Sequence, residues 1–359
     1  MKNFKIIICL FIFSVISVLS IYSSSFLLSS EYSYIHIKQI IWYIISFLVL
    51  FIIYKQKKEF FYKYSFYLYI IGIILLILVL FFGVETNGAR SWFVIKGFSI
   101  EPSEFMKVFL IIYLSTTLDK YKNLKHNFKN EFIVILKTLF IILIPSILTF
   151  LQPDTGIVLF YLIIYIFMLF IYGIKYHWYI ISFFIIGISL FIFIYFFLNF
   201  KNSFINIFGT DFFYRMDRLF QWKNKTGMQL SNALNSIGTS YLYGHKIGKI
   251  PIYYPEPHTD FIFTSFASTF GFIFEIFLII VIVYFDISII KIALDKSIRN
   301  KIFISGVISI ILYGQIQNIG MNIGLLPITG ITLPFISYGG SSLISYMSLI
   351  GLVLNINKK

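Results

Sequence analysis

Asp260 ends the polar run Pro255-Glu256-Pro257-His258-Thr259-Asp260, and the apolar residues Phe261, Ile262 and Phe263 follow at once. A carboxylate at such a boundary has two ordinary uses. It can cap the helix that begins there, worth about 0.5–2 kcal/mol relative to Ala, or it can take a proton as a general base, which requires rigid aim. Thr259 could cap in its place, and two prolines stiffen the approach. Local chemistry leaves both roles open.

A second set of charges lies where apolar surroundings are expected. Glu101-Pro102-Ser103-Glu104-Phe105-Met106-Lys107 opens an apolar stretch. Pro102 suits the first helical position, Glu104 falls in the first turn where the helix dipole favours it, and Lys107 lies three residues on, on the same face. The break Gln152-Pro153-Asp154-Thr155-Gly156 makes a tight turn that sets Asp154 at the same level. A charge at mid-helix depth costs about 2.5–3.5 kcal/mol on insertion scales, so such residues face a cavity or a partner. The three read as one polar cluster, either an ion network that holds helices together or the floor of a site. Arg90 and Trp92 read as an interfacial cation and aromatic, or Arg90 as a contact for an anionic headgroup. His258 by itself reads as a hydrogen-bonding loop residue. The run from Gly320 to Ser342 holds seven glycines and prolines, Gly320, Gly324, Pro327, Gly330, Pro334, Gly339 and Gly340. Such density at membrane depth is tolerated where the backbone is buried in protein or lines a wet cavity.

The elements that must carry these residues are membrane helices. Of 359 residues, 59% are hydrophobic and only 12% charged, far from the roughly 45–50% and 25% of a globular chain. The net charge of +14 is spread through short loops, a pattern of membrane orientation and not of nucleic-acid binding. Cys9 alone allows no intrachain disulfide and no multi-cysteine metal site. The first apolar run is too long for a cleaved signal and is expected to be a retained helix.

Ten stretches reach the length needed to span: Phe4 to Leu28, His36 to Tyr54, Tyr62 to Phe82, Pro102 to Leu118, Phe132 to Phe150, Gly156 to Tyr172, His177 to Leu198, Phe261 to Phe285, Ile302 to Met321 and Ile331 to Asn355. With the N-terminus inside, the inner segments collect Lys55, Lys57, Lys58 and Lys63, then Lys120, Lys122, Lys125 and Lys129, then Lys291, Lys296, Arg299 and Lys301. The short outer loops carry only Lys38, Arg90 and Lys96. Both termini are therefore expected in the cytoplasm. The expected fold is an all-α polytopic membrane protein of about ten helices forming one domain, with a long extracellular loop, 199–260, between helices 7 and 8. That loop holds Arg215, Arg218 and Gln229, and a connection this long is rarely idle.

Asn87 to Trp92, Glu101 to Lys107, Gln152 to Gly156, Pro255 to Phe263 and Gly320 to Ser342 together resemble the SEDS family, the shape, elongation, division and sporulation proteins typified by RodA, FtsW and SpoVE. The match runs nearly end to end in the right order, and its closing Gly-Met-Asn-Ile-Gly-Leu-Leu-Pro run leans to the RodA branch. The resemblance implies a peptidoglycan glycosyltransferase of the bacterial cytoplasmic membrane that polymerises lipid II at the outer face. It also implies a class B penicillin-binding transpeptidase as partner, among other elongation or division machinery. The family's essential loop aspartate falls on Asp260, its fourth-helix charges on Glu104 and Lys107, and its turn aspartate on Asp154. Arg215 and Arg218 are similar to the Arg-rich start of its large loop, and Gln229 to the following Gln. With Arg90 and His258 these make up the expected substrate-binding set. Two adjacent Glu common in the family are here Ser268 and Thr269, and a usual Gly-Gly pair is Ser240-Tyr241.

The implied reaction is an inverting glycosyl transfer with Asp260 as base and arginines on the departing pyrophosphate, whose oxygens guanidinium forks match. No cofactor is called for; a divalent cation could assist the pyrophosphate, although no ligand spacing marks a site. Two rival readings are a flippase for a lipid-linked precursor, which broken helices and midplane charges would also serve, and a scaffold that only recruits the transpeptidase.

Overall fold

The computed structural model describes residues 2–29, 32–86, 89–95, 98–125, 127–210, 213 and 227–358. In chain order the helices are α1 (Lys2–Ser25), α2 (Ile35–Lys55), α3 (Lys58–Lys63), α4 (Ser65–Phe82), α5 (Pro102–Lys120), α6 (Phe128–Phe150), α7 (Thr155–Tyr172), α8 (Tyr176–Asn199), α9 (Lys201–Phe208), α10 (Met228–Gly238), α11 (Ile262–Phe270), α12 (Phe272–Ala293), α13 (Ile298–Asn322) and α14 (Gly340–Ile356). Eight of these are long and apolar enough to cross a membrane. The other two long helices, α5 and α14, carry more polar residues and are nearly enclosed by protein. A helix facing neighbours in place of lipid can hold serines and charges that a lipid-facing one cannot. At the other extreme, Phe197 is the one buried residue described in α8.

The core is built around the enclosed helices. Helix α14 packs on α2 and α5, and α13 packs on α7 and α5, while α1 closes against α2, α11 and α12. Phe13, Phe285, Phe335 and Tyr346 meet ring to ring where these elements converge. The architecture is that of an all-α polytopic membrane protein.

Three local expectations are corrected. First, the loop before α5 is a small antiparallel sheet of β1 (Val84–Thr86), β2 (Ala89–Ile95) and β3 (Phe98–Ile100) in that order, with Phe93 opposite Ile100 and Val94 opposite Ser99. Second, the stretch Phe261 to Phe285 is two helices, α11 and α12, broken at Gly271. Its φ of +81° is one that L side chains rarely adopt, and a Cβ there would lie 2.4 Å from the Gly244 nitrogen. Glycine alone permits this approach of two backbones. Third, the last helix begins at Gly340, and 323–339 is irregular. Its carbonyls are satisfied by side chains from the surrounding helices: Gln317 donates to Pro327 (2.9 Å), Asn318 to Ile331 (2.8 Å), Ser17 to Ile336 (2.7 Å) and Tyr43 to Phe335. This meets the requirement that non-helical backbone at membrane depth find its partners within the protein.

Candidate active site

Asp260 sits in the turn that precedes α11, half-buried. It is not the cap of that helix. Phe261 occupies the capping position and makes no side-chain capping bond. The open end of α11 is closed from a distance: Oδ1 of Asn322, at the end of α13, accepts from the Thr264 backbone N–H (2.9 Å) and hydroxyl (2.6 Å). The same residue and its neighbour one turn back also hold the backbone of Asp260. Nδ2 of Asn318 and Nδ2 of Asn322 each donate to the Asp260 carbonyl at 2.9 Å. Ser337 donates to the Thr259 carbonyl (2.7 Å), and the Tyr338 N–H to that of His258 (2.9 Å).

The chain on both sides of Asp260 is thus clamped while its carboxylate accepts no hydrogen bond from the described residues. Burial, and secondarily the charge of Glu256, push its pKa up to about 7, where a base can both accept and release a proton. The carboxylate looks onto Gly330, whose φ is +73° and whose Cβ, if present, would stand 3.7 Å from Oδ2.

The same turn also packs against Gly156, next to the second charge cluster. A Cβ on Gly156 would meet Ile331 at 3.5 Å, the Thr329 carbonyl at 3.6 Å and Oδ1 of Asp154 at 3.7 Å. The turn 329–331 thus packs close to both Asp260 and Gly156, two residues from Asp154, and its Thr329 hydroxyl has no partner among the described residues. Asp154 caps α7 through the Ile157 N–H (3.2 Å).

Glu104 and Lys107 form a 2.8 Å ion pair, Lys107 fully enclosed. The ammonium lies over the Phe160 ring at 4.3 Å and the Tyr346 ring at 5.0 Å. The expected grouping of Glu104, Lys107 and Asp154 is present: the charges of both helix residues act on the Asp154 carboxyl.

Sequence reasoning assigned no role to Glu101. Its carboxyl accepts from Trp92 Nε1 (3.2 Å) and the Ser103 hydroxyl (2.7 Å), and its N–H donates to Ser341. Burial first, and then the Asp154 charge, raise Glu101 well above the usual carboxylate range. Trp92 thus anchors a half-buried acid, a role its interfacial position did not suggest. Asn318 and Asn322 were missed as well, and their i, i+4 spacing at the end of a span was the signal available.

The remaining expected residues divide. Arg90 lies exposed in β2 and pairs with Glu85 at 3.3 Å. His258 is buried between Tyr32 and Tyr338, with ring centroids 5.7 and 5.6 Å away. Burial lowers its pKa, and its Nδ1 has no partner among the described residues. Gln229 is half-buried in the first turn of α10. Arg215 and Arg218 lie outside the described residues. Among those residues no group of three or more His, Cys, Asp or Glu side chains is arranged to hold a metal ion.

Asn322→Ala tests the clamp. It removes the remote closure of α11 and one of two donors to Asp260, and hydrogen bonds left unmade at buried groups cost about 1–3 kcal/mol. The expected result is a lower Tm in detergent and a fall in kcat exceeding any rise in KM, whereas a loss confined to Tm would mean that the clamp supports the fold alone.

A family model described as a cell cycle protein, covering FtsW, RodA and SpoVE, matches residues 3–359. Among curated relatives, the probable peptidoglycan glycosyltransferase FtsW of Wigglesworthia glossinidia brevipalpis is 33% identical over 342 residues, covering 91% of this chain and 84% of the relative. Stage V sporulation protein E of Bacillus subtilis is 32% identical over 312 residues, covering 81% and 78%. Two solved structures share the fold. One, described as showing structural coordination of polymerization and crosslinking by a peptidoglycan synthase complex, has a TM-score of 0.81 at 22% identity and covers 99% of this chain and 97% of that one. The other, the rod shape determining protein RodA of Thermus thermophilus, has a TM-score of 0.69 at 23% identity and covers 97% and 95%. With the family model matched almost end to end and relatives above 30% identity along most of their length, this chain belongs to the FtsW/RodA/SpoVE family of multi-pass membrane proteins.

Proposed function

We propose that this chain is a peptidoglycan glycosyltransferase that polymerises lipid II at the outer face of the bacterial cytoplasmic membrane, with Asp260 as its general base. A sugar hydroxyl of one substrate attacks the anomeric carbon of the other. The new C–O bond forms with inversion as the bond to polyprenyl pyrophosphate breaks, and the hydroxyl proton passes to the Asp260 carboxylate. The observation that carries this reading is a half-buried carboxylate that caps nothing, accepts no hydrogen bond from the described residues, and is held by its own backbone. Rigid aim and a pKa near neutrality are what base catalysis needs.

In the same reading Glu104, Lys107 and Asp154, with Glu101, shape the cavity floor behind the 329–331 turn. Arg90, Arg215 and Arg218 meet the leaving pyrophosphate, and Gln229 and His258 contribute to substrate binding. Both termini lie in the cytoplasm, as the Lys and Arg of the short loops support. A class B transpeptidase crosslinks the strands made here, alongside other elongation or division machinery; the likeness to a synthase complex described by polymerization and crosslinking supports this.

The test is polymerisation of labelled lipid II by the purified chain. Glycan strands are expected. Headgroup translocation in liposomes with no strands would overturn the proposal in favour of a transporter.

A further inference from the structure

The end of the bundle away from Asp260 contains a second polar construction that the glycosyl transfer does not use. Helix α5 starts at the Glu101–Asp154 cluster and ends at Lys120, and α13 ends on Asp260 and starts at Ile298. At about 1.5 Å per residue these helices carry the chain roughly 28 and 37 Å, to the face where the inner Lys and Arg residues gather. There a cavity of about 230 Å³ is lined by Lys58, Tyr62, Asp119, Lys122, Ser297 and Asn300, with Glu59 and Arg299 completing it.

We propose that this cavity binds the phosphate of an anionic membrane lipid. Three observations point to an anion. Cations outnumber carboxylates in the lining, and Asp119 is engaged already: both Nε (2.7 Å) and Nη2 of Arg299 donate to it, and Lys122 lies 3.2 Å away. Lys58 is left without a carboxylate partner among the described residues. Next, α13 starts in the cavity without a side-chain cap, although Ser297 stands at the capping position and lines the space. The first-turn N–H groups and the positive end of a 25-residue helix thus open toward it. Finally, Asn300 is 8% exposed. Its Oδ1 accepts from Tyr62 (2.8 Å), which turns the amide so that Nδ2, a donor with no partner among the described residues, is left for the cavity.

The position argues for a lipid as the source of the phosphate. The adjoining α3 and the start of α4 present Phe60, Tyr64, Phe66 and Tyr67 as exposed aromatics beside Lys57, Lys58 and Lys63. Aromatic rings with lysines mark headgroup depth, and basic pockets between helices on the cytoplasmic side suit lipid phosphates.

The full chain is placed in nanodiscs of phosphatidylcholine with or without phosphatidylglycerol, then moved to detergent, and retained lipid is counted by native mass spectrometry. Wild type is expected to retain phosphatidylglycerol selectively. Lys58→Gln should weaken retention about fivefold, the effect of one lysine near a charged membrane surface. Ser297→Asp, which supplies its own carboxylate at the helix start and so preserves the fold, should abolish it with no fall in Tm. Equal retention of both lipids by wild type, or of phosphatidylglycerol by wild type and both variants, overturns the proposal. Displacement of the lipid by inorganic phosphate overturns the lipid assignment and gives the site to the free ion.

Discussion

Asp260→Asn is expected to lower the rate of lipid II polymerisation by about 10²–10⁴-fold, the usual worth of a positioned general base, without lowering Tm. The amide keeps the shape of the carboxylate and loses only its capacity to take a proton. Because Asn322 and not Asp260 closes the start of α11, the substitution removes no capping bond, and the two donors to the Asp260 carbonyl act on the backbone. Stability should respond in the opposite direction from activity. Burial raises the folded-state pKa of Asp260 from 3.8 to about 7, so between these values the unfolded chain holds fewer protons than the folded one. Stability then falls as pH rises through this window and stays reduced above it. Asn escapes that loss, so its Tm should equal wild type near pH 4 and match or exceed it above pH 7. Scanning fluorimetry across that range, beside the polymerisation rate, checks both halves; a Tm well below wild type at every pH would return Asp260 to a structural role.

Lys107→Met is expected to be the most destabilising single change in the charge cluster. Removing one member of a buried ion pair leaves the other uncompensated, at a cost of about 3–5 kcal/mol. The pair is 0% and 8% exposed at its side chains, so solvent screens little of it. Adding Glu104→Gln to Lys107→Met makes both positions neutral and should recover most of the lost Tm, since uncharged replacements of a buried pair are often neutral in stability. Activity separates the two readings of the cluster. If the charges form the floor of the catalytic cavity, the double variant folds and stays inactive. If they only join helices, recovery of Tm brings recovery of polymerisation.

Much of this molecule is legible in its sequence because lipid demands long apolar helices, and their bounds follow hydropathy closely: α7 begins at Thr155 and α8 at Tyr176, each one residue from expectation. Legibility fails where apolar character continues while geometry changes. Nothing in the hydropathy of Phe261 to Phe285 betrays the break at Gly271, which depends on the close approach of Gly244. The apolar residues from Ile331 onward read as helix, but buried partners on α1, α2 and α13 let 331–339 stay irregular.

The candidate site divides along the same line. Glu104 and Lys107 are three residues apart on one helix, so their pairing was visible. Whether Asp260 caps a helix was not, because the capping group comes from Asn322, 58 residues beyond Thr264. Glu101 was hidden because its importance arises from Asp154 and Trp92, which neighbouring elements bring to it. Arg90, expected among the substrate-binding residues, lies exposed in β2 beside Glu85, a pairing that its sequence position did not show.

The central claim, that the Asp260 carboxylate takes the proton, is tested most directly by the pH dependence of kcat/KM for lipid II polymerisation, which reports the essential base of the free enzyme. Wild type should show a rising limb with an apparent pKa of about 7. Glu256→Gln, which removes the exposed charge that helps to raise Asp260, should move that limb to lower pH. A limb that stays in place in Glu256→Gln, or a profile with no limb near neutrality, would contradict the assignment.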